Sequence, residues 1–280
     1  MTAFSIDYTS DVLAGAYLVP AGFPTPHGAL TRIGVASGEV TEITEDATGL
    51  PALLVEGTDG PLSLTFHFDD EVTGDYPEEL FQHRESRFTR FADDLVAEVA
   101  EVAPDLTGSA RIRAIACRAA ERFTYGHPEE RFNDGMDAVP ALGCGLTEGS
   151  CVDINTYFIA SLRAAGFEAG YVTGFFFPAE KGTHCNDGHC WVVTRAGGET
   201  LEWDIAHHLK LGTRDIQPGL NPKPGFRAAG FHSMGLEFSA AGVTGLKALL
   251  EPVGLANGAI LKSQAPTIRL NHPDIKMAAE

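Results

Sequence analysis

The chain has 280 residues, of which 44% are hydrophobic and 21% are charged, a composition that is typical of folded globular proteins and excludes overall disorder. Its length favours two domains, or one large domain with extensions. The formal net charge of −18 opposes binding to nucleic acid or to an anionic membrane surface, so neither is an expected partner.

The N-terminal segment and the cysteine content indicate a cytoplasmic protein with reduced thiols. No apolar run approaches the roughly 20 residues of a membrane-spanning helix, and the start "MTAFSIDYTSDVL" lacks the basic and apolar regions of a signal peptide. The five cysteines are an odd number without a secretory signal. Free thiols are therefore expected, and a disulfide framework is not.

Residues 1–72 are predicted to form a small antiparallel sheet. Short runs such as "GAYLVP" and "ALLVEG" are separated by Gly, Pro and Asp, which are typical of turns. In "LSLTFHF" the apolar residues alternate with polar ones, which is the period of a half-buried strand. We therefore expect a β-rich N-terminal domain at residues 1–74.

Two helices and a long loop are predicted next. Apolar residues recur at three- to four-residue intervals in "EELFQHRESRFTRFADDLVAEVAEVA", which predicts one long helix that ends at Pro104. The same spacing in "SARIRAIACRAAERF" predicts a second helix. Residues 126–149 contain Gly and Pro and show no period, and loops of this length are often functional. This loop leads directly to Cys151.

Cys151 is predicted to begin an amphipathic helix. The apolar residues of "CVDINTYFIASLRAAGF" fall on one helical face, Ser150 is suited to the N-cap, and Gly166 to the stop. The free N–H groups and the dipole of a first turn favour negative charge, and the thiolate is the nucleophilic form of cysteine. Cys151 is therefore a candidate nucleophile, although a free cysteine is more often a small buried apolar residue.

A predicted β-hairpin places a histidine near a carboxylate. Two apolar runs, "HCWVVT" and "TLEWDIA", flank a Gly-Gly pair, which is a strong hairpin signal. With an even loop, Val193 pairs with Glu202. His189 and Asp204 then become diagonal neighbours on one face, about 7 to 8 Å apart along the backbone. An odd loop would move Asp204 to the opposite face, and both residues would then be ordinary strand residues. A carboxylate beside an imidazole fixes its tautomer and frees the other ring nitrogen to take a thiol proton.

Three motifs together resemble the transglutaminase-like superfamily, relatives of the papain-type cysteine proteases. They are "GSC" at the start of a helix that ends in "LRAAGFEAGYVTGF", then "GHCWVV", then "LEWDIA". The resemblance implies Cys151 as nucleophile, His189 as general base and then acid, and Asp204 as the residue that orients His189. It also implies an α+β fold with a transglutaminase/papain-like core, in which the nucleophile helix packs on an antiparallel sheet. The β-rich start is similar to the N-terminal domain that precedes this core in many bacterial members.

On this basis we expect a catalytic domain at residues 75–240 and a C-terminal extension at residues 241–280. Within this extension, the tail after Pro252 is predicted to lack regular structure. The superfamily chemistry is attack of the thiol on a peptide or carboxamide carbonyl, release of an amine and formation of an acyl-thioester. Water resolves the thioester in a protease or amidase, and a bound amine resolves it in an acyltransferase. The expected partner is a peptide or protein amide substrate, with an amine acceptor as the alternative.

No cofactor is expected, because the calcium-loop pattern D-x-D-x-D-G does not occur in the sequence. The tetrahedral intermediate needs an oxyanion hole. The backbone N–H of Cys151 is the expected first donor, and the loop of residues 126–149 is where the second is expected.

The alternative from another class is a non-catalytic or zinc-binding module that retains the fold. "HCNDGHC", with His207 and His208 downstream, offers Cys and His ligands, but it lacks a C-x-x-C pair and places His189 and Cys190 on opposite strand faces. Cys190 is expected to be a packing residue, and His207 and His208 loop residues at the rim of the site. The acidic segment "EERFNDGMDAVP" is either a solvated loop face or a selector for a basic substrate.

Overall fold

The computed structural model describes residues 3–219 and 221–273. Within these ranges, no helix has the length and apolar character to cross a bilayer. The described residues form five α-helices, which are α1 (Glu78–Phe81), α2 (Asp93–Ala100), α3 (Gly108–Arg122), α4 (Cys151–Ala164) and α5 (Ile205–Lys210). They also form eighteen β-strands, which are β1 (Ala3–Thr9), β2 (Ala16–Pro20), β3 (Ala29–Val35), β4 (Glu39–Thr44), β5 (Pro51–Glu56), β6 (Ser63–Asp69), β7 (Phe123–Tyr125), β8 (Thr147–Gly149), β9 (Glu168–Pro178), β10 (His184–Cys185), β11 (Gly188–Ala196), β12 (Glu199–Trp203), β13 (Gly225–His232), β14 (Leu236–Phe238), β15 (Val243–Leu246), β16 (Val253–Ala256), β17 (Ala259–Lys262) and β18 (Thr267–Asn271).

The N-terminal strands belong to two five-stranded antiparallel sheets and not to one small sheet. Their strand orders are β10-β18-β1-β6-β3 and β17-β16-β2-β5-β4. The predicted alternation is present in β6, where Leu64, Phe66 and Phe68 are buried and their neighbours are half-buried. Both sheets are completed by strands from the C-terminal part of the chain.

The tail after Pro252 is more regular than the sequence predicts. Strand β18 pairs with β1 from Ser5 to Thr9, and β16 pairs with β2. Ile268 and Leu270 on β18 are 1% and 2% exposed. The alternating pattern of Thr267–Asn271 is too short to be recognised from the sequence alone. This segment forms a strand because β1 offers an open edge. The division at residues 1–74, 75–240 and 241–280 stays a prediction.

The predicted long helix is wrong, because residues 82–92 separate α1 from α2. The backbone N–H of Ser86 donates to Thr89 Oγ1 at 2.9 Å, and Arg84 Nη1 donates to the buried carboxylate of Glu45 at 2.9 Å. Side-chain bonds to nearby backbone compete with helical hydrogen bonds, and the tertiary ion pair directs Arg84 away from a helical path. By contrast, α3 and α4 lie where the sequence predicts them.

An α+β core holds the candidate residues, as predicted. Helix α4 packs against β9 and β11 of the antiparallel sheet β12-β11-β9-β13. Ile154, Phe158 and Leu162 of α4 are fully buried in this core. On the sheet, His189 of β11 lies opposite Gly174 of β9. A Cβ atom at Gly174 would lie 1.9 Å from a backbone oxygen of β13, so a residue without a side chain allows the strands to approach there.

Substitutions in β18 test whether the tail is part of the fold. Ile268→Ala should lower the free energy of unfolding by about 2–4 kcal/mol, because it removes a side chain that is buried in the core of the first sheet. The exposed neighbour is the control, and Thr267→Ala should cost less than about 1 kcal/mol. Urea denaturation followed by circular dichroism measures both. Equal small effects would contradict the packing of β18.

Candidate active site

Cys151 is the first residue of α4, where a polar cluster fixes the first turn. The Ser150 N–H and hydroxyl donate to Asp153 Oδ2 at 2.9 and 2.7 Å, as in a capping box. Arg131 Nη1, from the long loop, donates to the same oxygen at 2.6 Å and to Ser150 Oγ at 2.9 Å. Burial alone would raise the pKa of Asp153, but the bonds from Arg131 and Ser150 lower it, so the carboxylate stays ionised. The predicted cap and helix start are therefore confirmed.

The hairpin of β11 and β12 has the predicted register, with Val193 opposite Glu202. His189 Nε2 and Asp204 Oδ2 are 2.7 Å apart, and both side chains are buried. Since a carboxylate can only accept, Nε2 is the donor and Nδ1 is left for a second partner. The thiol of Cys151 lies close enough to His189 for each group to shift the pKa of the other. The three residues selected from the sequence thus lie together.

Asp204 is the centre of a buried network that extends beyond the three predicted residues. Arg227 Nη2 on β13 donates to Asp204 Oδ2 at 2.6 Å, and His207 donates its backbone N–H to Oδ1 at 2.9 Å. Burial would raise the pKa of Asp204, but His189 and Arg227 together hold it well below its usual range. The carboxylate therefore stays charged although it is fully buried.

The two buried histidines differ in the direction of their pKa shifts. The rings of His189 and His207 are stacked, with centroids 4.3 Å apart. Burial lowers the pKa of His207 to about 4, so it is neutral at pH 7. Burial also lowers the pKa of His189, but Asp204 and Cys151 more than compensate and the net shift is upward. His189 is thus the ring that can gain a proton.

Sequence reasoning missed Arg227 and misplaced His207. His207 and His208 are both buried in α5 and are not loop residues at the rim. A signal for this existed, because an Asp at an N-cap accepts from the N–H three residues on, and "DIAH" has that spacing. No comparable signal marks Arg227, which reaches Asp204 through the pairing of β13 with β9.

The thiol of Cys151 is less acidic than its place at a helix start suggests. The neighbouring Cys190 thiol and burial raise the pKa of Cys151 well above its ordinary value, while His189 acts in the opposite direction. The Cys190 sulfur itself accepts a hydrogen bond from Asn155 Nδ2 at 3.4 Å. Cys190 was expected only to pack on the other strand face. It is fully buried, but it also contacts the candidate nucleophile.

The proposed zinc ligands of "HCNDGHC" do not come together. Among the described residues, the group of possible metal ligands is His189, Asp204 and His207, whose ligand atoms lie within 4.8 Å of one another. Arg227 donates to the same Asp204 oxygen, so a permanent positive charge already occupies the place of a cation. The set therefore does not fit a metal ion. All five cysteines are free thiols.

The long loop of residues 126–149 reaches the site. It has no helix or strand before β8, which pairs with β7 in parallel. His127 and Arg131 from this loop line a cavity of about 410 Å³ that Cys151 also lines. The loop thus borders the place where an oxyanion would form, and the second oxyanion donor stays a prediction.

Comparisons with known proteins agree with this architecture. Residues 93–203 match the family model described as the transglutaminase-like superfamily. No curated protein matches the sequence. Among solved structures, the chain is similar to a putative cysteine protease from Cytophaga hutchinsonii, with a TM-score of 0.57 and 14% sequence identity over 99% of this chain and 92% of that chain. At this identity the likeness concerns the fold.

The matched segment begins at α2, includes Cys151 and His189, and ends one residue before Asp204. Its helix-on-sheet core is the one that holds Cys151 and His189. This segment of 111 of the 280 residues is the part of the chain that matches the transglutaminase-like superfamily.

Proposed function

We propose that the protein is a thiol enzyme that attacks an amide or peptide bond and forms an acyl-thioester on Cys151. The observation that carries this proposal is the buried hydrogen bond between His189 and the ionised Asp204, with the thiol of Cys151 close enough to His189 for each to shift the pKa of the other. Such an arrangement is what nucleophilic catalysis by a thiol requires. The match of residues 93–203 to the transglutaminase-like superfamily model supports it, and a cytoplasmic location stays a prediction that accords with the free thiols.

The order of proton transfers follows from the pKa shifts. Because the pKa of Cys151 is raised, the resting thiol is protonated, and His189 Nδ1 takes the proton as the sulfur attacks the carbonyl carbon. Asp204 stabilises the imidazolium that forms. The backbone N–H of Cys151, in the first turn of α4, has no intrahelical acceptor and can donate to the oxyanion. His189 then protonates the leaving amine, and the acyl-thioester remains.

Hydrolysis is the proposed fate of the acyl-thioester. The cavity beside Cys151 has charged and polar side chains as well as apolar ones in its lining, so water can reach the thioester. Transfer to an amine would require a site that binds the amine and excludes water. Acyl transfer to an amine is therefore the second candidate, and a non-catalytic module is the outcome if no amide is cleaved.

Removal of the nucleophile or the base should abolish the activity. Cys151→Ala and His189→Ala should each reduce cleavage of a proteome-derived peptide mixture by about 1,000-fold or more, because neither the thioester nor its proton transfers can form. Mass spectrometry of the products measures cleavage, and incorporation of dansylcadaverine measures transfer. Cys117→Ala, on α3 and outside the lining of the cavities beside Cys151 and His189, is the matched control and should retain activity. Cleavage by the Cys151→Ala variant would refute the proposal.

Asp204→Asn should change the pH profile as well as the rate. The general base must be neutral, so activity is lost as pH falls through the pKa of His189. Asp204 raises that pKa, and its neutral replacement should move the acid limb of kcat/KM to lower pH while the rate falls about 100-fold or more. The control is Asp215→Asn at an exposed carboxylate, which should leave the profile unchanged. An unmoved acid limb in Asp204→Asn would argue against coupling of the two groups.

Cys190→Ala should make Cys151 more acidic. Loss of the Cys190 sulfur removes the main effect that raises the pKa of Cys151. Iodoacetamide should therefore label Cys151 faster at neutral pH, and the midpoint of the plot of labelling rate against pH should move to lower pH. Cys190→Ser keeps an acceptor and should leave the midpoint near that of the natural protein. Peptide mapping after timed labelling measures each rate. An unchanged or higher midpoint in Cys190→Ala would contradict the assigned contact.

A further inference from the structure

The lysines of this acidic protein are concentrated around the candidate active site. The sequence has six lysines, and none lies in its first 180 residues. Five of them, Lys181, Lys210, Lys223, Lys247 and Lys262, line two cavities next to Cys151 and His189. The sixth, Lys276, lies outside the described residues. Lysines with only a general solubilising role would be scattered over the surface. The lysines of this protein are clustered instead.

One of the two cavities borders the thiol of Cys151, and the other borders the imidazole of His189. The thiol-side cavity has a volume of about 410 Å³ and contains Cys151, Lys247 and Lys262 in its lining. The imidazole-side cavity has a volume of about 240 Å³ and is lined by His189 and by Lys181, Lys210 and Lys223. His127 and Asp187 line both, so the cavities adjoin. An extended chain lying across the reacting pair can therefore reach both sets of lysines.

These lysines are available for a ligand, whereas the arginines near the site are committed to carboxylates of the protein. Arg227 is paired with Asp204, and Arg131 with Asp153. Among the five lysines and within the described residues, Lys223 alone forms an ion pair, with Glu180. Lys210 lies over the ring of Tyr125, with its Nζ 4.2 Å from the centroid, which leaves its charge uncompensated.

The acidic groups in the cavities do not cancel the lysines. Asp187 lines both cavities and Glu251 lines the thiol-side cavity. Burial and the neighbouring Asp187 raise the pKa of Glu251 to about 7, so it carries only part of a charge at neutral pH. Burial lowers the pKa of Lys247 to about 8, which still leaves it mostly protonated there. Each cavity thus keeps a modest positive surplus, which suits a single carboxylate better than a phosphate dianion.

We propose that the two lysine-lined cavities bind carboxylate side chains on either side of the scissile amide, so that the substrate is an acidic peptide. This assignment rests on the proposed thiol chemistry and specifies its substrate class. It opposes the alternative that the acidic segment after His127 selects a basic substrate, because the groups that border the thiol and the imidazole are lysines.

The charge preference can be measured at Cys151 without knowledge of the natural substrate. Iodoacetate and iodoacetamide alkylate the same thiolate and differ in charge, so the ratio of their rate constants cancels the thiolate fraction. We expect this ratio at Cys151 to exceed the ratio at the exposed Cys144 by about tenfold, the lower end of electrostatic focusing in a charged cleft. Lys247→Gln and Lys262→Gln should each lower the ratio at Cys151 about threefold.

The matched control removes a positive charge away from the cavities. Arg118→Gln on α3, whose side chain is 42% exposed, should leave the ratio unchanged. A ratio at Cys151 no greater than that at Cys144, or one that the lysine variants do not alter, would overturn the substrate assignment. Failure of the thiol chemistry is a separate outcome, since it would appear as the absence of amide cleavage by the natural protein or as cleavage that survives Cys151→Ala.

Protection by peptides tests the ligand class directly. Hexaglutamate should slow labelling of Cys151 by iodoacetamide, and hexaserine and hexalysine should not. The triple variant of Lys181, Lys210 and Lys223 to Gln should weaken the protection at least threefold, since these residues line the imidazole-side cavity. Equal protection by hexaglutamate and hexaserine would overturn the proposal. Stronger protection by a phosphoserine peptide of equal net charge would overturn the choice of carboxylates.

Discussion

The buried carboxylate of Asp204 is the constraint on which the site depends. A fully buried charge costs several kcal/mol unless other groups compensate it. Asp204 is compensated by Arg227 from β13, by His189 from β11 and by the first turn of α5. The Asp204 side chain thus joins the end of β12 to β13, β11 and α5. The relative positions of these four elements fix the direction of the His189 ring. The requirement to satisfy this charge and the requirement to orient the base are met by the same contacts.

Opposing effects determine the state of the thiol. The helix start and His189 favour the thiolate, whereas burial and the Cys190 sulfur favour the protonated form, and the second pair prevails. A protonated resting thiol reacts slowly with oxidants, because the thiolate is the reactive species. His189, with its raised pKa, remains a competent acceptor once a carbonyl is in place. The arrangement therefore couples the formation of the nucleophile to the presence of substrate.

The parts of the site that were predictable from the sequence depend on local structure. The start of α4 follows from Ser150 and Asp153, and the contact between His189 and Asp204 follows from the register of one hairpin. The positions of Arg227, Cys190 and the lysines depend on how distant segments pack, and no local pattern specifies this. The same cause explains the errors in the fold, since the long helix is interrupted by a tertiary ion pair and β18 forms only against β1.

In the proposed recognition of an acidic substrate, the distribution of charge determines the range at which that substrate is attracted. The net charge of −18 repels such a substrate at long range, whereas the lysines attract it close to the reacting atoms. The Debye length is about 8 Å at physiological ionic strength, so most of the long-range repulsion is screened there, while charges within a cavity are screened much less. Recognition is thus confined to the cleft. Lysines at the reacting pair attract carboxylates and also repel an ammonium group, which makes the same cleft a poor site for an alkylamine acceptor and favours water as the group that resolves the thioester.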